Sequence, residues 1–369
     1  MFRAKGRKSV FKKPRVKPPL ASILLKYVAP ENGPYLDCHV SGGLGNQMLE
    51  MTSCAFLAIL TNRKLVMRSD VRAANGKANL LGNTSSFLIV GVPTVVGEEW
   101  IENHLPPISM MIQSASETDL FLCDDLESLV GHDRIALRLP ASGSCFFLVG
   151  QMLAVNRHFA DKFREWFGGE PYSHLARFLF HPAKHLLRVI EGTFANEDDV
   201  TIGVHLRFGK GSRDLYWHLD DPISMARACI QCISKWLAAI PQDKIRIYLA
   251  TDDLRIRDYF RLRFGDESLL GHALATPPDN DHHEMLVQDM FSLAKTTLFI
   301  GTYWSSVTTQ VALQRSDAIG MFLLKNGSCV DFVNGDKMWS KDLTSMYPVI
   351  SMNTSMCKAS DIQQIFALD

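Results

Sequence analysis

The stretch Val200–Asp214, VTIGVHLRFGKGSRD, decides how the rest of the chain is read. Val200, Ile202 and Val204 alternate and are β-branched, the pattern of a buried strand. The strand runs into His205 and Arg207, then into a basic, glycine-bearing loop, Gly209-Lys-Gly-Ser-Arg213. Arginine offers a planar fork of donors matched to phosphate oxygens. Glycine lets backbone N–H groups approach an anion closely. The carboxylate of Asp214 follows, near enough to share the site. Two readings fit this stretch alone: an anion site at a strand end, or an ordinary strand whose polar end is solvated.

The downstream sequence favours the first. Ile223–Ala239 reads as an amphipathic helix and Ile245–Ala250 as a strand. Thr251-Asp252-Asp253 closes that strand, at the edge where open α/β sheets bind ligands. The same triplet offers an N-cap for a helix Leu254–Phe264. Asp281-His-His-Glu284 contains adjacent histidines, which point to different sides of a helix and so read as polar surface at a helix start rather than as metal ligands. A helix Met285–Ala294 leads into a strand Leu298–Gly301, and Thr302-Tyr-Trp-Ser-Ser306 opens a helix through Gln314. Hydroxyls such as Ser305 and Ser306, together with free N–H groups at a helix start, suit a phosphate. A strand Ile319–Leu324 follows. The alternation of strand and helix predicts a parallel sheet flanked by helices.

The N-terminal half begins the same way. A short strand Cys38–Val40 feeds Ser41-Gly-Gly-Leu-Gly-Asn-Gln47, then a helix Met48–Leu60 and a strand Lys64–Met67, a Rossmann-like unit. The loop lacks the third glycine of the dinucleotide fingerprint. Gly43, Gly45 and Asn46 at the helix start nevertheless suit a phosphate or a sugar. Residues 70–195 are less regular: Phe87–Val96 reads as apolar strand material, and His158–Phe167 and Tyr172–Gly192 as helical. Phe159, Phe163 and Phe167 form a core stripe, and Pro182 marks a bend or a helix start. This organises the chain as a proline-rich arm and linker (1–34), an N-terminal Rossmann-like domain (35–197), a C-terminal one (198–345) and a tail (346–369).

The 369 residues suit about two domains. A formal net charge of zero supplies no bulk attraction for nucleic acid. Eight basic residues crowd positions 3–17, which reads as a disordered arm, the flank of a membrane anchor, or a targeting segment. Leu20–Val28, broken by Lys26, is far shorter than the ~20 apolar residues of a membrane span; an anchor would lie upstream. Cys229 and Cys232 lack partners for a zinc set and read as structural; no metal site is expected. Other cysteines can pair if the compartment is oxidising. Three glycosylation acceptor triplets, at Asn83, Asn326 and Asn353, weakly favour a secretory route.

The chain resembles the GDP-fucose-dependent fucosyltransferase superfamily, over residues 38–68 and 200–324. Gly42-Gly-Leu-Gly-Asn46 with the following helix is similar to the family's first βα unit. Gly203-Val-His-Leu-Arg207 resembles its strand motif, and Tyr248-Leu-Ala-Thr-Asp-Asp253 its TDD segment. Asp289 matches its nucleoside-binding carboxylate, and Ser305 and Ser306 its phosphate-side hydroxyls. The resemblance implies an α/β, GT-B-like fold of two Rossmann-like domains facing across a cleft, with GDP-fucose on the C-terminal domain. It implies inverting transfer of fucose to a glycan hydroxyl, in α-1,2- or α-1,6-linkage, with no cofactor and no metal. His205 would lie by the guanine and Arg207 on the β-phosphate. Gly43, Gly45, Asn46, Asp252, Asp253, Asp289, Ser305 and Ser306 would complete the donor site, and Asp214 would be the base. Where many members carry a second arginine this chain has Phe208, with Lys210 or Arg213 as replacements. A protein O-fucosyltransferase and a non-catalytic nucleotide-sugar or glycan-binding protein are the alternatives. The expected setting is the Golgi or secretory lumen, or the cytoplasm or an organelle if the basic arm is a targeting segment.

Overall fold

The computed structural model describes residues 33–40, 43–69, 88–90, 105–112, 125–137, 153, 156, 158–159, 165, 171–196, 198–208, 221–271, 279–302, 305–315, 319–323 and 327–332. Asp214 and its neighbours in the basic loop, the N-terminal arm, Phe163 and Phe167, the asparagines of the three acceptor triplets, and the tail lie outside the described residues. The chain divides into two compact units, one holding the described residues up to His181 and the other those from Pro182 to Gly335.

The first unit is built on a four-stranded sheet of order β2-β1-β5-β4, from β1 (Tyr35–Val40), β2 (Lys64–Ser69), β4 (Met110–Ile112) and β5 (Arg134–Leu137). All its pairings are parallel. β3 (Leu88–Val90) and β6 (Phe180–Pro182) pair separately. Helix α1 (Leu44–Leu60) follows β1 and is buried almost all round, as a helix without a polar face must be. It begins at Leu44, not Met48, because Gly43 serves as its N-cap, so Gly45 and Asn46 belong to its first turn. Cys38 and Cys54 form a disulfide that staples β1 to α1. Helix α2 (Pro171–Leu179) is pinned to α1 where the Tyr172 hydroxyl donates to the Leu49 carbonyl at 2.9 Å. The buried Arg134 guanidinium meets the buried Asp37 carboxylate at 2.6 Å, so neither charge is left uncompensated. The helical stretch Tyr172–Gly192 is two helices that part near Pro182: β6 interrupts it at Phe180–Pro182, and α3 (Lys184–Thr193) resumes.

The second unit is a six-stranded sheet of order β12-β11-β10-β7-β8-β9. Its strands are β7 (Val200–Leu206), β8 (Ile245–Thr251), β9 (Leu269–Leu270), β10 (Leu298–Thr302), β11 (Ile319–Leu323) and β12 (Cys329–Phe332). The first five are parallel and β12 is an antiparallel edge. The chain winds from β7 outward through β8 to β9, then returns to the other side of β7 with β10. The winding direction therefore reverses between β7 and β10, which places the ligand crevice of such a sheet at their C-terminal ends.

The two faces of this sheet differ in chemistry. Ile202, Val204 and Leu206 point to one face and pack with Met225, Cys229 and Ile233 of α4 (Pro222–Leu237) and Ile256 and Phe260 of α5 (Leu254–Phe264). Each such side chain, fully buried, contributes about 1.5–3 kcal/mol. Thr201, Gly203 and His205 alternate to the opposite face. That face is covered by α6 (Asp279–Lys295) and α7 (Ser306–Gln314). Gly203 is required there: a Cβ at this position would run into the Thr296 side chain at the end of α6. Cys232 on α4 is bonded to Cys329 on β12, tying the edge strand to the helical layer across 97 residues of sequence. Cys229 is a free, buried core thiol whose pKa burial pushes far up.

A cross-link closing so long a loop constrains the unfolded chain strongly. Replacing Cys232 and Cys329 together by serine is expected to lower unfolding free energy by about 2–4 kcal/mol in urea titrations of the oxidised protein. Superimposable unfolding curves would contradict this.

Candidate functional site

The C-terminal ends of β7, β8 and β10 bring together His205, Arg207, Asp252 and Ser305. His205 is the last residue of β7 paired with β10, opposite Gly301. A Cβ on Gly301 would collide with Thr308, so this glycine is what lets α7 lie against the sheet. That close approach carries the Thr308 hydroxyl to the His205 ring, where Oγ1 and Nδ1 share a hydrogen bond of 2.7 Å. The ring is only 8% exposed. Burial, and then the neighbouring Arg207 charge, lower the His205 pKa from 6.5 to about 3, so the ring is neutral at physiological pH.

Beyond His205 the strands part. The Arg207 N–H donates to Thr302 Oγ1 at 2.9 Å, and the Thr302 hydroxyl donates to the His205 carbonyl at 2.8 Å. On the other side, the Phe208 N–H donates to Asp252 Oδ1 at 2.7 Å. Arg207, half-buried, therefore leaves the sheet on a main chain held from both neighbouring strands. The Phe208 ring lies under the guanidinium of Arg255, 5.9 Å from its centroid.

The two aspartates of the TDD segment have separate duties. Asp252 takes the Phe208 amide. Asp253, 1% exposed, caps α5 by accepting from the Arg255 N–H at 2.9 Å, and it holds the Arg255 guanidinium through Nε at 3.0 Å and Nη2 at 2.7 Å. Capping by one of the pair is what the sequence led us to expect.

Ser305 is the N-cap residue of α7, yet its side chain makes no capping bond. Its hydroxyl is buried, the residue being 5% exposed, and has no hydrogen-bond partner among the described residues. The Ser305 N–H reaches the Thr302 carbonyl at 3.3 Å, which sets it one residue-link from the Arg207 amide. Ser306 is the first helical residue. A buried orphan hydroxyl costs free energy unless something satisfies it. Together with the free N–H groups of the helix start and an adjacent arginine, it forms a place for an anion.

Asp289 sits further from this edge, half-way along α6. The Tyr248 hydroxyl, on a fully buried ring, donates to Asp289 Oδ1 at 2.7 Å. Burial first, and then Asp289, push the Tyr248 phenol well above its usual range, which keeps it a donor. Gly43, Gly45 and Asn46 lie at the start of α1 in the other unit; Gly43 has open space where a side chain would be. Helix α6 starts at Asp279, so Asp281-His-His-Glu284 is helical. No group of three potential metal ligands occurs among the described residues, and no helix among them is long and apolar enough to cross a membrane. Thr302 and Thr308 are the site residues that sequence reasoning did not single out. Thr302 had been read with the helix start, whereas it ends β10.

The neutral His205 makes a pH prediction. The folded ring resists protonation down to about pH 3, while the unfolded chain takes up the proton near 6.5. Below pH 6.5 the unfolded state therefore binds the extra proton and stability falls. The slope approaches about 1.4 kcal/mol per pH unit for one proton. Urea unfolding of wild type and His205→Asn between pH 7 and pH 4 is expected to show this component in the wild type alone. Parallel pH dependences would contradict it.

Comparison with known proteins gives the site its context. No protein-family model matches the chain. It is similar to fucosyltransferase 3 of Arabidopsis thaliana, 26% identical over 203 residues, which is 50% of this chain and 36% of that protein. The chain thus matches little more than a third of that relative's length. Among solved structures it is similar to a mutant of Arabidopsis thaliana FUT1 in complex with GDP, with a TM-score of 0.59 and 12% identity over 88% of this chain and 81% of the other. It is also similar to the α-1,6-fucosyltransferase NodZ soaked with GDP-fucose, with a TM-score of 0.54 and 17% identity over 82% of this chain and 100% of the other; NodZ is a Bradyrhizobium protein. The chain resembles the fucosyltransferase superfamily in sequence and has the GT-B-like α/β fold of its members.

Proposed function

We propose that this protein is a glycosyltransferase that moves fucose from GDP-fucose to a glycan hydroxyl, inverting the anomeric carbon to form an α-1,2- or α-1,6-linkage. The observation that carries the reading is the buried Ser305 hydroxyl at the start of α7, without a hydrogen-bond partner among the described residues and set beside the doubly held Arg207 at the point where sheet winding reverses. Proteins of similar fold have been solved in complex with GDP or from crystals soaked with GDP-fucose.

In this reading the pyrophosphate meets the α7 start through Ser305 and Ser306, and the Arg207 guanidinium stabilises charge on the departing GDP. His205, neutral and oriented by Thr308, and Asp289, oriented by Tyr248, read the guanine. Asp252 and Asp253 shape the same edge. Asp214 is the proposed base that takes the acceptor hydroxyl proton in a single displacement; it lies outside the described residues. Leaving-group charge is met by arginine and helix N–H groups, so the reaction calls for no metal. The disulfides Cys38–Cys54 and Cys232–Cys329 favour maturation in an oxidising compartment such as the secretory lumen.

Release of GDP from GDP-fucose, with and without a panel of glycan acceptors and with EDTA present, tests the proposal. Acceptor-dependent release that survives EDTA is expected. Tight GDP-fucose binding with no release would make the protein a binder instead. Arg207→Ala is expected to lower turnover by about 10²-fold or more in a folded protein. Arg207→Lys should not restore it, because a point charge lacks the fork. Near-normal turnover in Arg207→Ala would remove Arg207 from this role.

A further inference from the structure

The ladder between β7 and β10 ends in an unusual way. In a parallel pair, a residue opposite position i bonds through its own main chain to the carbonyl of i−1 and the N–H of i+1. The register Gly301↔His205 would set Thr302 opposite Leu206, so its main chain would serve the His205 carbonyl and the Arg207 N–H. The Thr302 hydroxyl donates to the His205 carbonyl at 2.8 Å, and it takes the place of the Thr302 carbonyl as acceptor of the Arg207 N–H at 2.9 Å. Meanwhile the Thr302 carbonyl turns to the Ser305 N–H at 3.3 Å, and β10 still pairs with β11 through Thr302↔Leu323. A side-chain oxygen thus accepts the Arg207 N–H where a strand carbonyl would ordinarily do so. The strands separate at the sheet edge without stranding buried polar groups, and Thr302 is itself fully buried.

We propose that Thr302 and Asp252 are positioning residues that act on Arg207 through the main chain. Thr302, from β10, opens the crevice by the reach of a hydroxyl and fixes the Arg207 amide. Asp252, the residue after β8, fixes the next amide, that of Phe208. Arg207 is held at consecutive peptide groups from opposite sides, so its guanidinium leaves the sheet in one direction. Neither residue needs to touch the substrate for this role. The structure thereby gives the first aspartate of the TDD segment work that a donor contact does not explain: it needs an acceptor oxygen, not a negative charge.

The proposal's activity arm rests on the transferase reading above, but its structural arm does not. Thr302→Val keeps the β-branched shape and removes the hydroxyl; Thr302→Ser keeps the hydroxyl. Asp252→Asn keeps an acceptor oxygen; Asp252→Ala removes it. Native-state amide exchange is expected to speed up about tenfold or more at Arg207 in Thr302→Val and at Phe208 in Asp252→Ala, with Val204 unchanged. The same two variants are expected to bind GDP about tenfold more weakly in calorimetry, while Thr302→Ser and Asp252→Asn stay within about twofold of wild type. Unchanged exchange at Arg207 in Thr302→Val overturns the clamp. Faster exchange with wild-type GDP affinity overturns its positioning role. Loss of GDP affinity in Asp252→Asn equal to that in Asp252→Ala shows that the charge matters and overturns the main-chain role of Asp252. If wild type itself binds no GDP, the transferase reading fails, and amide exchange at Arg207 and Phe208 alone decides the clamp.

Discussion

One hydroxyl, that of Thr302, joins the two strands between which the sheet of the second unit reverses its winding. Everything at the candidate site depends on how those strands part. If the Thr302 carbonyl met the Arg207 N–H, the ladder would continue and Arg207 would extend the strand. With the Thr302 hydroxyl as acceptor, the Arg207 amide keeps a partner while the Thr302 carbonyl turns to the Ser305 N–H, and β10 leads at once into the start of α7. That turn delivers Ser305 and the free N–H groups of the helix to the same edge. Sheet topology chooses where the site lies; the hydroxyl gives the Arg207 N–H its partner there.

The two faces of the sheet divide the labour. The α4–α5 face is apolar and supplies stability. The α6–α7 face carries His205, Tyr248, Thr296 and Thr308 in hydrogen bonds of 2.7 Å, several fully buried. Such buried hydrogen bonds rigidify a structure rather than merely costing it free energy. The close approach of α7 at Gly301 and of α6 at Gly203 makes these bonds short, because a side chain at either glycine would push the helix away. Arg315 closes this layer from below. Its buried guanidinium reaches the Thr296 carbonyl at 2.8 Å and the Leu293 and Thr297 carbonyls at 3.1 Å, holding the end of α6.

Much of the second unit is legible in the sequence because its signals are local. Val200, Ile202 and Val204 announce β7, Ile245–Ala250 announces β8, and the TDD segment announces a helix cap that Asp253 performs. Thr302 and Thr308 are not legible in the same way. Their partners are 95 to 103 residues away, and only strand register and the packing of α7 bring them together. The first unit is harder to read for a different reason. β4 and β5 are three and four residues long and sit in a parallel sheet, where strands are short apolar runs without alternation. Gly45 and Asn46, poor helix formers, sit in the first turn of α1 because burial of that helix outweighs intrinsic propensity. The polar stretch before Met285 is helical for six residues that carry no apolar period.

The central claim is that a nucleoside diphosphate seats its phosphates where β7 and β10 part. A crystal structure of the protein with GDP tests it most directly. The account predicts a phosphate oxygen within hydrogen-bond distance of Ser305 Oγ and another on the Arg207 guanidinium, with Thr302 still bridging the His205 carbonyl and the Arg207 amide. GDP bound elsewhere, or phosphates that touch neither Ser305 nor Arg207, would contradict it.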